Sequence, residues 1–252
     1  MKRILGIGAL VACALLASGA LADTFWFQDM EVSADGGFAP RKLPRRAYVP
    51  IKFKGYIKVR SLNGGVPAPL RRAVIDFDRD GRLATRGLPT CDPALLQEAT
   101  PFEARARCRG AIVGTGKIAA LVTWKGQPTP ARSLLTIFNG PREGRHPTAI
   151  LHARVTEPIV QNIAITVPIK RRAGDFRYRA TIELPPILAG SGALTHLDVE
   201  IRKRYRFGGK RRSYLSARCS DGIMLTHGRL TFSAEPSDTI IDSSIEKACT
   251  PR

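Results

Sequence analysis

The stretch IKFKGYIKVR at 51–60 puts Ile51, Phe53, Gly55, Ile57 and Val59 on one parity and Lys52, Lys54, Tyr56, Lys58 and Arg60 on the other. A period of two belongs to a strand with one buried face. A helix, at 3.6 residues per turn, would scatter these two sets around its circumference. The chain therefore has to build a sheet whose inner surface is apolar and whose outer surface is cationic.

Further runs of strand character lie at 25–32, 73–78, 112–124, 133–138, 148–155, 163–169, 176–184, 194–207, 213–219 and 230–233. Turn signals separate them at Asn63-Gly64-Gly65, Gly190-Ser191-Gly192, Gly208-Gly209 and Asp221-Gly222. Many short strands, with 23 glycines and 18 prolines, predict an all-β sandwich or barrel. The expected form is sandwich-like antiparallel sheets in one β-rich unit over 23–252. The polar stretch at 139–147 would join two halves of that unit.

Only 91–108 argues for helix. Thr100-Pro101-Phe102-Glu103 reads as a capping box with proline at the first helical position, and Gly110 offers a stop. Cys91 and Cys108 flank this segment and would close it as a short excursion.

Lys2 and Arg3, an apolar run over 4–16 and Ala20-Leu21-Ala22 form the three regions of a secretory signal, with the mature chain expected from Asp23. Leu10-Val11-Ala12-Cys13 also resembles a lipoprotein processing site, but the apolar run continues past Cys13, so a lipid anchor there is the weaker expectation. No later stretch approaches the ~20 apolar residues of a membrane-spanning helix. The expected location is secreted or associated with the cell envelope.

Loss of Cys13 with the signal leaves Cys91, Cys108, Cys219 and Cys249. An even count in an exported chain reads as two disulfides. Of the three possible connectivities, Cys91–Cys108 with Cys219–Cys249 keeps each pair in its own half. No close CxxC pair suggests zinc, and no metal or cofactor is expected.

The sequence DFDRDGRLATRG at 76–87 imitates a calcium loop, but Gly87 stands where a bidentate acid should end it. A hairpin with an Arg79-Asp80-Gly81 loop accounts for more of it, with Phe77 facing Leu83 and Asp78 facing Arg82. The same reasoning places a Gly208-Gly209-Lys210 loop in 200–219, pairing Phe207 with Arg211, Tyr205 with Ser213, Ile201 with Ala217 and Val199 with Cys219. Arg202, Arg204 and Arg206 would then share an outer face with Arg212, Arg218 and Tyr214.

Lys2 and Arg3 leave with the signal, which takes the formal charge from +19 to +17. Such a field attracts anionic polymers and lipid headgroups. The candidate binding residues are Lys52, Lys54, Lys58 and Arg60, then Lys170, Arg171 and Arg172, then Arg202, Arg204, Arg206, Arg211 and Arg212. Arginine forks onto carboxylate and phosphate groups. Export argues against a specific nucleic-acid partner.

Enzyme signals are sparse. His196, Asp198 and Glu200 share a strand face, where they could bind metal or move protons. Ser191 lacks the flanking glycines of a nucleophile elbow, since Ala189 and Ala193 occupy those places. Gly114-Thr115-Gly116 precedes a strand, so a bulge or close backbone contact is its expected use.

The segments 78–83, 87–91 (GLPTC), Cys108, 113–116 (VGTG), 185–201, 219–222 (CSDG) and Cys249 together resemble a group of secreted bacterial proteins with no assigned function. That resemblance implies export, disulfides and a β-rich fold, and no catalytic residue. The expected function is non-enzymatic contact with anionic envelope polymer or lipid through the basic strands. The alternative is a carrier holding an apolar ligand inside the β fold. A hydrolase or metal-dependent enzyme comes third.

Overall fold

A computed structural model describes residues 23–252 apart from Gln28 and Glu235. The expected signal segment, with Cys13, lies outside the described residues. The strands are β1 (Asp23–Phe27), β2 (Met30–Ala39), β3 (Lys42–Leu43), β4 (Val49–Pro50), β5 (Lys52–Ser61), β6 (Leu70–Asp78) and β7 (Gly81–Leu83). After α1 (Pro101–Arg107) come β8 (Ile112–Trp124), β9 (Gln127–Glu143), β10 (His146–Val155), β11 (Gln161–Arg171), β12 (Phe176–Glu183) and β13 (Gly192–Ile201). The chain ends with β14 (Arg204–Phe207), β15 (Lys210–Ser213), β16 (Leu215–Ala217), β17 (Ile223–Phe232), β18 (Thr239–Ala248) and β19 (Thr250–Pro251).

The fold is all-β. One antiparallel sheet of twelve strands runs β1-β2-β5-β13-β8-β9-β10-β11-β12-β6-β17-β18. Its two ends come back together, so the facing layers are opposite walls of one sheet rolled into a barrel. Met30 and Val32 of β2 pack with Leu230 and Phe232 of β17 and Ile241 of β18. The seam carries no backbone ladder between β2 and β18 among the described residues. Ser243 Oγ donates to Asp23 Oδ2 at 2.9 Å, and Lys247 Nζ meets Asp35 Oδ1 at 2.6 Å. Beyond one end of the seam β19 pairs parallel with β3.

The alternation at 51–60 holds as read. Ile57 and Val59 are buried while Lys54, Lys58 and Arg60 are exposed on β5. The expected strand at 25–32 instead contains the turn between β1 and β2, and 139–147 is the β9–β10 hairpin, its turn confined to 144–145. The Gly114–Gly116 expectation holds for a steric reason. A Cβ on Gly116 would lie 1.9 Å from Asp198 O, and one on Gly114 2.6 Å from Glu200 O.

Both disulfides join the expected partners, Cys91–Cys108 with Cα atoms 5.4 Å apart and Cys219–Cys249 at 6.0 Å. The first closes the helical excursion onto the outside of the barrel, where Leu96, Ala104 and Ala111 cover Phe138 and Ile150. Helix α1 has its capping box: Thr100 N donates to Glu103 Oε2 at 2.8 Å and Glu103 N to Thr100 Oγ1 at 3.3 Å. It ends at Arg107, short of Gly110.

Two registers are corrected. β7 does not return against β6; it leaves the barrel to form a three-stranded sheet, β4-β16-β7. Leu83 pairs with Leu215 and Arg82 with Ser216, not with Phe77 and Asp78. The basic hairpin turns on two residues, Gly208 and Gly209, with φ of 58° and 71°. Two successive left-handed residues give the turn whose twist suits a hairpin. Phe207 therefore pairs with Lys210 and Tyr205 with Arg212. Ile201 and Val199 stay in the barrel wall, away from Ala217 and Cys219, and Tyr214 is buried rather than set among the arginines.

Candidate functional site

Inward-facing side chains of the barrel do not fill it. Many inward positions carry a small residue: Gly55 on β5, Ala120 on β8, Ala149 and Ala153 on β10, Ala180 on β12 and Gly228 on β17. A close-packed interior would need larger groups facing one another at those levels. What results is an apolar cavity of about 450 Å³, within the ~300–1,000 Å³ usual for small-molecule sites.

Register places its ends. Toward one end Phe53, Ile201, Ile137 and Tyr178 face inward, and Leu83 and Leu215 of the small sheet close over them. Tyr214, 2% exposed, packs among these residues, and burial holds its phenol above the ordinary value. Toward the other end the cavity reaches Gln161, Leu184, Pro185 and Ile187. There Gln161 Nε2 donates to Pro186 O at 3.2 Å, and Leu188 N donates to Gln161 Oε1 at 3.1 Å. Leu188 and Ala189 both hold positive φ, 45° and 55°, a conformation non-glycine residues rarely adopt. Ile159 and Val160, 41% and 55% exposed, lie in the loop that leads into β11 at Gln161.

The acidic triplet is structural. Asp76, 2% exposed, takes a bidentate grip from Arg179, 2.8 Å from Nε and 2.6 Å from Nη2. That guanidinium holds its carboxyl below the usual carboxylate range. Burial pushes the Asp78 carboxyl up, although the amides of Leu225 and Asp80 donate to it. Burial acts the same way on Asp80, but hydrogen bonds from Ser220 and Arg218 outweigh it and leave that carboxyl depressed. Among the described residues, no three His, Cys, Asp or Glu side chains gather to hold a metal ion.

The candidate basic residues fall into separate groups. Lys54 pairs with Glu200 at 3.4 Å, Arg202 with the same carboxylate at 3.1 Å, and Arg60 with Glu31 at 2.6 Å. Lys52 and Lys58 share that outer wall. Lys170, Arg171 and Arg172 lie at and just beyond the end of β11, with β13, β8, β9 and β10 between them and β5. Arg204, Arg206, Arg211 and Arg212 share the β14–β15 hairpin, where Arg206 pairs with Arg211 across the ladder. The ring of Phe207 at its tip is approached by the guanidiniums of Arg86 and Arg212, at 5.8 Å and 5.7 Å. A feature not anticipated is Tyr48, whose ring is approached by Arg82, Arg177 and Arg218 at 5.4–5.5 Å.

His196 and Asp198 sit on the outer face of β13, 3.2 Å apart. Glu200, next on that face, is held by Lys54 and Arg202. His196 borders an open depression with Lys117, Arg132 and Arg154, outside the barrel wall. Ser191 Oγ donates to Leu188 O at 2.8 Å. No helix among the described residues is long and apolar enough to cross a membrane.

Comparison of the chain with family models, with characterised proteins and with solved structures returned no match.

Proposed function

We propose that this chain is an exported, non-enzymatic carrier that holds an apolar molecule inside its barrel. One observation carries the reading: the cavity of about 450 Å³ is walled by aliphatic and aromatic side chains from every strand of the twelve-stranded sheet. Apolar surface facing apolar space gains dispersion contacts and loses water only when something fills it. The polarity of the wall points the same way. Lys54, Lys58 and Arg60 look outward and Phe53 and Ile57 inward, the reverse of a barrel whose outer surface meets lipid. Export is part of the proposal and rests on the two disulfides, on the apolar run at 4–16 and on the resemblance to secreted bacterial proteins.

The test is extraction of the purified protein with organic solvent, mass spectrometry of the extract, and titration with the apolar fluorophore N-phenylnaphthylamine. The expected result is saturable fluorescence that dodecan-1-ol displaces. Absence of both a co-purifying lipid and saturable fluorescence refutes the carrier.

The basic hairpin supports a companion role, contact with an anionic surface. Arg204, Arg206, Lys210 and Arg211 are exposed, and no acidic partner is found for them among the described residues. Arginines without partners and an aromatic tip suit a phosphate-rich surface. Co-sedimentation with phosphatidylglycerol vesicles should fall steeply as salt rises and fall further in an Arg206→Glu/Arg211→Glu variant. Retention indifferent to salt excludes this contact.

A further inference from the structure

The chain has 40 lysines and arginines. Among the described residues one of them is buried, Lys247, at 7% exposure. Every other described lysine or arginine is at least partly exposed, and Lys247 lies on the wall of the cavity. Along β18 the inward parity runs Ile241, Ser243, Ile245, Lys247, so Lys247 lines the lumen by the same alternation that carries isoleucine there, with its ammonium at the seam beside Asp35. Its neighbour across the ladder is Met224.

A buried lysine is costly unless it is paired. Lys247 Nζ has Asp35 Oδ1 at 2.6 Å, and that oxygen also accepts from Gly36 N at 2.7 Å. An ammonium has three donors, and no second protein acceptor for this one is found among the described residues. Asp35 is the more accessible partner, its side chain 25% exposed against 8% for Lys247. It stands on the stretch of β2 beyond Ala34, where the ladder with β1 has ended, next to Gly36 and Gly37. Its carboxylate can turn to water when another anion takes its place, whereas the less exposed ammonium stays at the cavity wall. Apolar pockets that bind amphiphiles set orientation with a few polar groups at one end.

We infer that Lys247 is the headgroup site of the cavity, and that the cargo is a single-chain amphiphile with an anionic head, its chain in the lumen and its head on the Lys247 ammonium in place of Asp35. This rests on the carrier reading and specifies its ligand. Carboxylate and phosphate heads share the chemistry, and the arms of the test separate them.

The experiment compares dodecanoate, dodecyl phosphate and dodecan-1-ol as displacers of N-phenylnaphthylamine from the wild type, Lys247→Met and Asp35→Asn. Methionine keeps the bulk and removes the charge. In the wild type at least one anion should outcompete the alcohol, and the better anion identifies the head. Lys247→Met should lose about 10- to 100-fold in affinity for that anion, the range of a charge-assisted hydrogen bond, with the alcohol unchanged. Asp35→Asn should bind the anion more tightly, because the competing carboxylate is gone. A purely structural ion pair predicts otherwise: both variants less stable and neither altering the preference for head type. That result, or a wild type indifferent to the head, overturns the inference while leaving an apolar carrier in place. If no dodecyl compound displaces the fluorophore, this inference falls, and if in addition no lipid co-purifies and the fluorescence does not saturate, the carrier reading falls with it.

Discussion

Replacing Ala153 with phenylalanine separates an empty lumen from a packed core by the sign of its effect. Ala153 lies on β10, is 1% exposed and lines the cavity. In a close-packed interior an added ring forces neighbours aside and costs about 1–3 kcal/mol. In a cavity, burying the ring contributes about 1.5–3 kcal/mol, less roughly 0.5–1 kcal/mol for the rotamers it loses. The net expectation is stabilisation by about 1–2 kcal/mol. For a chain of this length that raises the melting temperature by roughly 2–8 °C, while overpacking would lower it by as much or more. The assay is a thermal melt of wild type and variant, paired with N-phenylnaphthylamine titration. The variant should melt higher and bind less fluorophore, because the ring occupies the ligand's place. A lower melting temperature with fluorophore binding undiminished would refute the claim that the lumen is free space available to ligand.

Gly116→Ala should destabilise by on the order of 3 kcal/mol, since its Cβ would lie 1.9 Å from the Asp198 carbonyl oxygen; an unchanged urea midpoint would contradict the close approach of β8 and β13. Opening the Cys91–Cys108 bridge, whose ends are separated by 17 positions, by a double serine substitution should cost about 3 kcal/mol in unfolding free energy, read by chemical denaturation with and without reductant. Burial holds the His152 imidazole below its ordinary value. The unfolded chain therefore binds that proton more readily, and the associated stability is complete above about pH 6.5 and lost as pH falls through the folded value. His152→Gln should flatten the stability profile between pH 7 and 5, and an unaltered slope would show that another group sets it. Asp76 and Asp80, both depressed, should add a second loss below about pH 4. Asp78, raised by burial, acts in the opposite sense: its contribution is full below about pH 4 and fades as pH climbs through its folded value.

Local rules were legible wherever the signal is carried by neighbours in the chain. The faces of β5, the whole extent of β8, the capping box of α1 and the pairing of the cysteines all follow from residues within a few positions of one another or from counting. What escaped depends on partners distant in sequence. β7 fits a hairpin with β6 as well as it fits β16, and only the assembled barrel decides. Tyr214 looked like part of an arginine face because the hairpin register was displaced by one residue, which reverses the facing of each side chain. β18 went unnoticed because its inward parity holds Ser243 and Lys247 among the isoleucines. The polar residues that hid the strand are the ones that bridge the seam. The cavity did leave a trace, the alanines and glycines at inward positions. Parity records which way a residue points, and only volume records whether the space is filled.

The uneven closure of the sheet has a mechanical consequence. Eleven of the junctions between neighbouring staves are laced by peptide hydrogen bonds, which hold the spacing near ~4.8 Å. The twelfth is buttoned by Asp23 with Ser243 and by Asp35 with Lys247, and riveted at one rim where β3 meets β19. Girth is thus the soft dimension of this cylinder and height the stiff one. Widening the cylinder at this junction needs only these buttons undone, with every lace left tied.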